Sequence, residues 1–519
     1  MISAELLGTQ SGADKWQRLA PAAIIHFIVK FIVQFIKQGV QGLLPLGAVI
    51  LTAGENRWFI ISLVLVGVVI LLLSGAVMSY FKFRFRLSGD TFLIQKGVFK
   101  RKRLSLTYGR IQNIAFKQPI YFRPFHLVVL GVESAGSSGE EVSLAGIPRS
   151  LAEEIRSVVF EKRTASPLNA NEDAKENNDT DTQALAGDTE EILRQPPSEL
   201  VRYGLSNNNI WVFAGITAGA IAQIDWDDWF FLADLKHGIE TVASQSKLTA
   251  ALMASGVFIS IVLLLLAVSA LGAVVTYYNY HLTRSDGRFH RTKGLFERQE
   301  TSLPENKVQS LVIKQTWPAR LLGRFHLTMR QVGFSRSNNG YPGAASNSKF
   351  LIPSVTDVFS VDFSAKLYPD FDWSRDQLKP IDRAFTRKIV LWIMLPIAAI
   401  PATALTIVFN PLGLLVLLVP FLLAPIIMLV RARYGYATDG KHGIVRSGFI
   451  GYKLTIFPFY KVQTVQLWQS PGQRERGLAS LTIKLAGFTL EVPYIPLADA
   501  QSWRDQILYE IENHKGAWM

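Results

Sequence analysis

Apolar positions along the chain fall into blocks. The clearest runs from Trp58 to Tyr80 (WFIISLVLVGVVILLLSGAVMSY) without a charged residue, long enough to cross ~30 Å of hydrocarbon. A shorter, weaker block lies at 208–224, and a long uncharged one at 249–279. After Arg387-Lys388 a fourth runs from Ile389 to Phe409; Asn410-Pro411 breaks it, and a fifth follows over Leu412–Val430. Near the N-terminus, His26, Lys30, Gln34, Lys37 and Gln41 fall on one helical stripe. Ile24, Ile25, Phe27, Ile28, Phe31, Ile32, Phe35 and Ile36 cover the rest, and Leu43–Ala53 follows. This predicts one long helix, interfacial in its first half with snorkelling lysines and spanning in its second. The alternative is an amphipathic surface helix followed by a short buried one. The stretch is too long for a cleavable signal peptide, and no small-residue cleavage site stands out.

Six spans group as three pairs. The links within pairs, Gly54–Trp58, Asp225–Leu248 and Asn410–Pro411, carry only Arg57, Lys236 and Lys247 as basic residues. Lys82, Arg84, Arg86, Arg284, Arg387, Lys388, Arg431 and Arg433 crowd the opposite ends. The positive-inside rule therefore puts that side, and both termini, in the cytoplasm. The link at 225–248 is aromatic and acidic (DWDDWFFLADL), with its tryptophans expected at the outer headgroups.

After each pair the period changes from helical to alternating. Tyr80–Leu87 (YFKFRFRL) places Phe81, Phe83, Phe85 and Leu87 on one face and Lys82, Arg84 and Arg86 on the other, as a half-buried strand does. Ser88-Gly89-Asp90 is a turn and Thr91–Gln95 a second strand; further strands are expected at Leu127–Val132, Leu327–Val332 and Leu481–Leu485. One spaced pattern then occurs three times: Gly97, Arg110, Gln112, Gln118, Arg123; Gly294, Lys307, Gln309, Gln315, Arg320; and Gly448, Lys461, Gln463, Gln469, Arg474. The intervals of 13, 2, 6 and 5 residues are identical in all three. Gly323 and Gly477 also match each other, whereas the first copy reads as about three residues shorter there. The glycine is expected to close a hairpin. Helices are expected at Ser150–Glu161 and Ala498–Glu512, with a poorly marked helix after the middle copy and an extended loop at 335–348. About seven short strands and a helix per copy make a small β-barrel plugged at one end.

Paired spans followed by a β module carrying [RK]-[IV]-Q-x5-Q resemble the bacterial pleckstrin-homology-like (PH-like) YdbS/YdbT-type membrane proteins, and three copies resemble the longer YdbT-like members. The resemblance covers all but the acidic linker. It implies a PH-like split barrel capped by a helix, a bacterial inner-membrane location, a shorter one-module membrane protein of the same kind as partner, and no catalytic activity. The expected fold is thus membrane α + β: six transmembrane helices in three pairs, each followed by a cytoplasmic PH-like β-barrel module with a C-terminal helix. The expected order is an N-terminal segment and first pair at 1–79, module 1 at 80–163, an acidic linker at 164–200 and the second pair at 201–276. Module 2 follows at 277–370, a polar linker at 371–387, the third pair at 388–431 and module 3 at 432–519. Within the first linker, Ala170–Ile192 is strongly acidic and lacks aromatic residues, a composition that favours disorder. It reads as a spacer, or as a competitor screening a basic face from anionic lipid. Glu199–Leu205 is expected at the membrane surface.

Composition then falls into place. Charged residues are 18% and mean hydropathy is +0.21 because the spans are uncharged. The +13 net charge collects on one side of them, so nucleic-acid binding is not needed to explain it. Cysteine is absent, which excludes disulfides, thiolate metal sites and cysteine nucleophiles. No HExxH, Walker A, GxGxxG or GxSxG motif occurs. His126 and His326, each ahead of a strand, read as structural, and Asp370, Asp372 and Asp376 as solvated. No enzyme activity, cofactor or metal is expected.

The candidate partner or lipid contacts are the run Lys100, Arg101, Lys102 and Arg103, together with Arg110, Gln112, Gln118, Lys307, Gln309, Gln315, Lys461, Gln463 and Gln469. Near anionic headgroups each basic residue is worth about 1 kcal/mol; the same run is also ordinary decoration beside a span. The glutamines either bridge backbone groups at a strand bend or line a site for a peptide strand or headgroup. A PH-like fold alone does not establish phosphoinositide binding. The expected function is a membrane scaffold binding partner proteins or the anionic inner leaflet. The alternative is a transporter, or a subunit of an export or stress-resistance complex. Against transport, only Lys30 and Lys37 place ionisable groups within a span.

Overall fold

A computed structural model describes residues 16–42, 57–88, 91–97, 101–108, 111–134, 140–164, 189–206, 247–331, 350–369, 378–448 and 451–514. The expected span at 208–224, the second half of the N-terminal helix, the loop at 335–348, the acidic stretch up to residue 188 and Asp370, Asp372 and Asp376 lie outside them. The chain divides into two compact units, residues 1–192 with 282–303, and residues 193–281 with 304–519.

In the first unit, helix α1 (Ala23–Gly42) precedes α2 (Arg57–Lys82). A small sheet follows, β1 (Arg84–Ser88), β2 (Thr91–Lys96) and β3 (Lys102–Thr107), in that order. The expected strand at Tyr80 is corrected: α2 stays helical through Lys82, so Phe81 is exposed, while Phe83 and Phe85 are buried in the core and Leu87 packs against it. Unbroken backbone hydrogen bonding outweighs alternation in those three residues. Next come β4 (Ile111–Pro119), β5 (Leu127–Ser134), β6 (Glu140–Pro148) and helix α3 (Arg149–Thr164). Phe85, Phe92 and Ile94 from one sheet, Ile114, Leu130 and Leu144 from the other, and Ile155 of α3 share one core with Leu19 and Ala23 from ahead of the spans.

The acidic linker ends earlier than expected. Glu190–Arg194 form strand β7, and Pro197–Ser206 form helix α4, with proline at its first residue where no backbone donor is missed. Helix α5 (Lys247–Tyr277) leads to β8 (His281–Ser285), β9 (Arg288–Lys293) and β10 (Glu297–Pro304). These strands do not form a separate sheet. They continue the first module's second sheet in the order β6-β5-β4-β10-β9-β8-β7.

The second unit repeats the arrangement. Strands β11 (Val308–Gln315), β12 (Phe325–Gln331) and β13 (Phe350–Val355) precede helix α6 (Asp357–Leu367), capped by Thr356, whose hydroxyl accepts from the amide of Phe359. Beyond β14 (Lys379–Pro380), α7 (Leu395–Phe409) and α8 (Val419–Arg433) lead to β15 (Gly435–Thr438), β16 (His442–Ser447) and β17 (Tyr452–Pro458). The sheet order is β13-β12-β11-β17-β16-β15-β14. Last come β18 (Val462–Trp468), β19 (Leu478–Leu485), β20 (Phe488–Pro496) and α9 (Leu497–Asn513). Tyr436, Phe457, Ile483, Val492, Trp503 and Ile507 form the third module's core.

Four described stretches are long and apolar enough to cross a membrane: Ser62–Lys82, Ala251–Tyr277, Ala384–Ile407 and Gly413–Arg433. Their side chains are bare: Leu71 is 70% and Ile407 86% exposed. Helices with bare apolar surfaces on this scale, and with charges only at their ends, belong in lipid.

Candidate functional site: the strand edges of the modules

The three-fold pattern sits on the strands that join one module to the next, and each position has a local cause. Gly97, Gly294 and Gly448 have φ of 111°, 108° and 140°, the left-handed half of backbone space, and each lies between the second and third strands of its module. The first glutamine is a β-bulge residue in every copy. The β4–β5 register skips between Ile111 and Asn113, β11–β12 between Val308 and Ser310, and β18–β19 between Val462 and Thr464. Gln112, Gln309 and Gln463 are the extra residues, and each bends its strand. The second glutamine is a clamp. Gln118 Nε2 donates to the carbonyl of Leu127 (3.3 Å), Gln315 Nε2 to Arg324 (3.4 Å) and Gln469 Nε2 to Leu478 (2.6 Å), each nine residues on, at the start of the next strand.

The residue eight after that glutamine is left-handed in all three copies: His126 (φ 51°), Gly323 (62°) and Gly477 (63°). The first copy is therefore not shortened. Histidine occupies the position glycine holds in the others, which hid the match. Arg123 accordingly matches Arg320 and Arg474, and its guanidinium donates to the carbonyl of Leu295, just past Gly294. His326, by contrast, lies inside β12, 5% exposed, with Nε2 3.1 Å from Ser206 Oγ and Nδ1 accepting from the amide of Ser354. Burial, then the nearby Lys314 charge, lower its pKa to about 4, so it is neutral at physiological pH.

Each module also recruits a segment from ahead of its span pair. A second irregularity in the last strand puts Gly146, Ser354 and Tyr494 at positive φ. Their carbonyls accept, respectively, from the Ala20 amide (3.1 Å), Gln195 Nε2 (2.9 Å) and the Asp382 amide (2.9 Å). Sequence periodicity misses these docking contacts because they are made across a whole span pair. In the middle module the docked segment extends into α4, where Leu200, Tyr203 and Gly204 are buried. Glu199 accepts from Arg324 Nε (2.8 Å), Arg324 Nη2 (2.9 Å) and Ser354 Oγ (2.8 Å). These bonds, that to Arg324 first, hold its carboxyl down to about 2.

Between modules the joint is made by strand edges. β4 pairs antiparallel with β10, with Gln118 opposite Arg298 and Phe116 opposite Glu300. β11 pairs antiparallel with β17, with Gln315 opposite Tyr452, Val312 opposite Thr455 and Leu311 opposite Ile456. Arg298 and Tyr452 both lie four residues after their pattern glycine, so the two joints share one register. At the first, Arg149 Nη2 holds Glu300 Oε2 at 3.0 Å. At the second, Lys461 Nζ donates to the carbonyls of Asn306 and Val308, both at 2.6 Å, and burial lowers its pKa to about 8. A Cβ on Gly451 would stand 1.9 Å from the Gln315 carbonyl, so only glycine permits this approach.

The remaining candidates divide. Lys307 closes the turn before β11. Gln309 is fully buried, and neither polar atom of its side chain has a hydrogen-bond partner among the described residues. Gln463 is exposed. Arg101, Lys102 and Arg103 are exposed at β3, whereas Lys100 and Arg110, and the side chain of Gln112, lie outside the described residues. Among the described residues no cluster of His, Cys, Asp or Glu could hold a metal.

Repeated two-sheet modules with a C-terminal helix, borne on long apolar helices, define a membrane protein built from PH-like domains. The chain belongs to the Bacterial PH domain family, which it matches three times, over residues 34–163, 233–353 and 392–511. It is similar to the UPF0699 transmembrane protein YdbT of Bacillus subtilis (strain 168), 24% identical over 322 residues. That alignment covers 59% of this chain and 61% of the relative, so the chain spans less than two thirds of the relative's length. No solved structure matches.

Proposed function

We propose that this protein is a membrane scaffold that presents PH-like modules as a ladder of strand edges and binds partner proteins through those left open. Six spans in three pairs carry the modules, with both termini on the cytoplasmic side of a bacterial inner membrane. The four described apolar helices and the one-sided basic clusters support this arrangement. The single observation that carries the reading is the use of the pattern-bearing strands. The module-to-module joints absorb them as backbone ladders, and among the described residues β18 remains as an unpaired edge of the same kind. Exposed edges bind chains by adding strands.

The test is an affinity pull-down of the full-length protein from membranes. Adjacent N–H groups of a strand point to opposite sides. Of Gln466→Pro and Leu467→Pro, one therefore blocks only the open edge and keeps the fold. Loss of a co-purifying protein in that variant is the expected result. An unchanged partner set contradicts the reading. Loss instead of binding to anionic vesicles in Lys102→Ala/Arg103→Ala, with partners unchanged, would make the modules lipid readers.

A further inference from the structure

The two internal joints follow one rule. The fourth strand of a module pairs with the third strand of the next, and the second pattern glutamine meets the residue four after the next module's pattern glycine. Two edges are left over. Among the described residues β3, the third strand of the first module, pairs only with β2, and β18, the fourth strand of the last module, pairs only with β19. They are the two halves of the same joint.

The geometry points to head-to-tail association of this chain with a second copy of itself, β18 of one copy adding to β3 of the next. This deepens the scaffold reading and rests on it. Extending the shared register puts Gln469 opposite Arg101, Trp468 opposite Lys102, Leu467 opposite Arg103, Gln466 opposite Leu104 and Val465 opposite Ser105.

Three further observations favour this occupant. Lys102 and Arg103 are exposed on β3, so two β3 edges repel each other, as charges on edge strands commonly ensure. β18 (VQTVQLW) carries no charge and no proline of its own and leaves Trp468 44% exposed, with Lys388 Nζ 5.8 Å from its ring centroid, so beyond the bulge at Gln463 the strand itself brings nothing that repels a partner strand. Finally, β11 occupies the same place in its module and accepts a following strand, so this strand type accommodates the pairing. A head-to-tail contact of this kind builds rings or open filaments.

The absence of native cysteine makes the test clean. Two differently tagged full-length copies, one Lys102→Cys and the other Trp468→Cys, are co-expressed in membranes and oxidised. The expected result is a disulfide-linked heterodimer forming about tenfold faster than with Thr464→Cys in place of Trp468→Cys, because only the first pair falls within disulfide reach. Equal rates, or no cross-link, overturn the proposal. So does a cross-link confined to single chains carrying both substitutions. If no heterodimer forms while the proline variant still loses a partner in the pull-down, the scaffold reading stands and the second copy is not its occupant. If the pull-down is also unchanged, both fall.

Discussion

β11 and β18 are the same strand in successive modules, and they have opposite surfaces. In β11, Leu311, Val312 and Ile313 are 0%, 4% and 1% exposed. At the matching positions of β18, Val465 and Leu467 are half-buried and Gln466 is exposed. Both strands carry a bulged glutamine at their second residue, have a clamping glutamine at or just past their end and belong to a module with a C-terminal helix. They differ in what lies alongside: β17 covers the edge of β11, and no described strand covers that of β18. Module fold and module assembly are therefore separable in this chain, with local hydrogen bonds setting the first and edge pairing the second.

The comparison breaks most readily in its apolar centre. Leu311→Ala is expected to cost about 2–5 kcal/mol, as truncation of a fully buried leucine does. Val465→Ala, at a half-buried site, is expected to stay under about 1 kcal/mol. Equal losses in chemical unfolding of the detergent-solubilised protein would show that the joint contributes nothing to the burial of β11. Gly451→Val drives a side chain into the Gln315 carbonyl and is expected to cost about 1–3 kcal/mol. It should make β11 amides exchange like those of β18 while leaving β18 unchanged.

A smaller effect is a pH slope. The folded pKa of Lys461 lies near 8, below the ordinary lysine value of 10.5. Between these values the unfolded chain binds the extra proton, so stability rises with pH across that window and is flat below it. Lys461→Met removes this slope in urea titrations at pH 7.5 to 10.5. A slope that persists would place its origin outside the joint. Smallest of all, Gln466→Ala is expected to shift stability by less than about 0.5 kcal/mol, whereas Val312→Ala at the matching buried position should cost about 1 kcal/mol or more.

Much of the module was legible because its grammar is local. Gly97, Gly294 and Gly448 announce turns that only glycine makes cheaply. The spacing of the glutamines reflects a bulge and a clamp that recur wherever this strand is built. Local pattern misled at two places. Phe81 alternates like a strand residue but stays on α2, and His126 hides a left-handed position that glycine marks in the other copies.

The joints were not read from sequence because pairing between modules is non-local, but their trace is there. Leu311-Val312-Ile313 and Ile114-Ala115-Phe116 are unbroken apolar triplets, the mark of a strand buried on both faces. In Val465-Gln466-Leu467 a glutamine interrupts the triplet, on the strand whose edge is open. Docking of Ala20 and Asp382 left no such trace, since a backbone amide donates whatever the side chain, and Gln195, which donates through its side chain, stands outside the repeated pattern.

Edge pairing, rather than module fold, separates β11 from β18. Amide hydrogen exchange of the full-length protein over a range of concentrations tests it directly. β11 and β17 are expected to stay protected at every concentration, while β18 and β3 are open in dilute samples and gain protection together on concentration. Exchange as fast in β11 as in dilute β18, or protection of β18 independent of concentration, would contradict it.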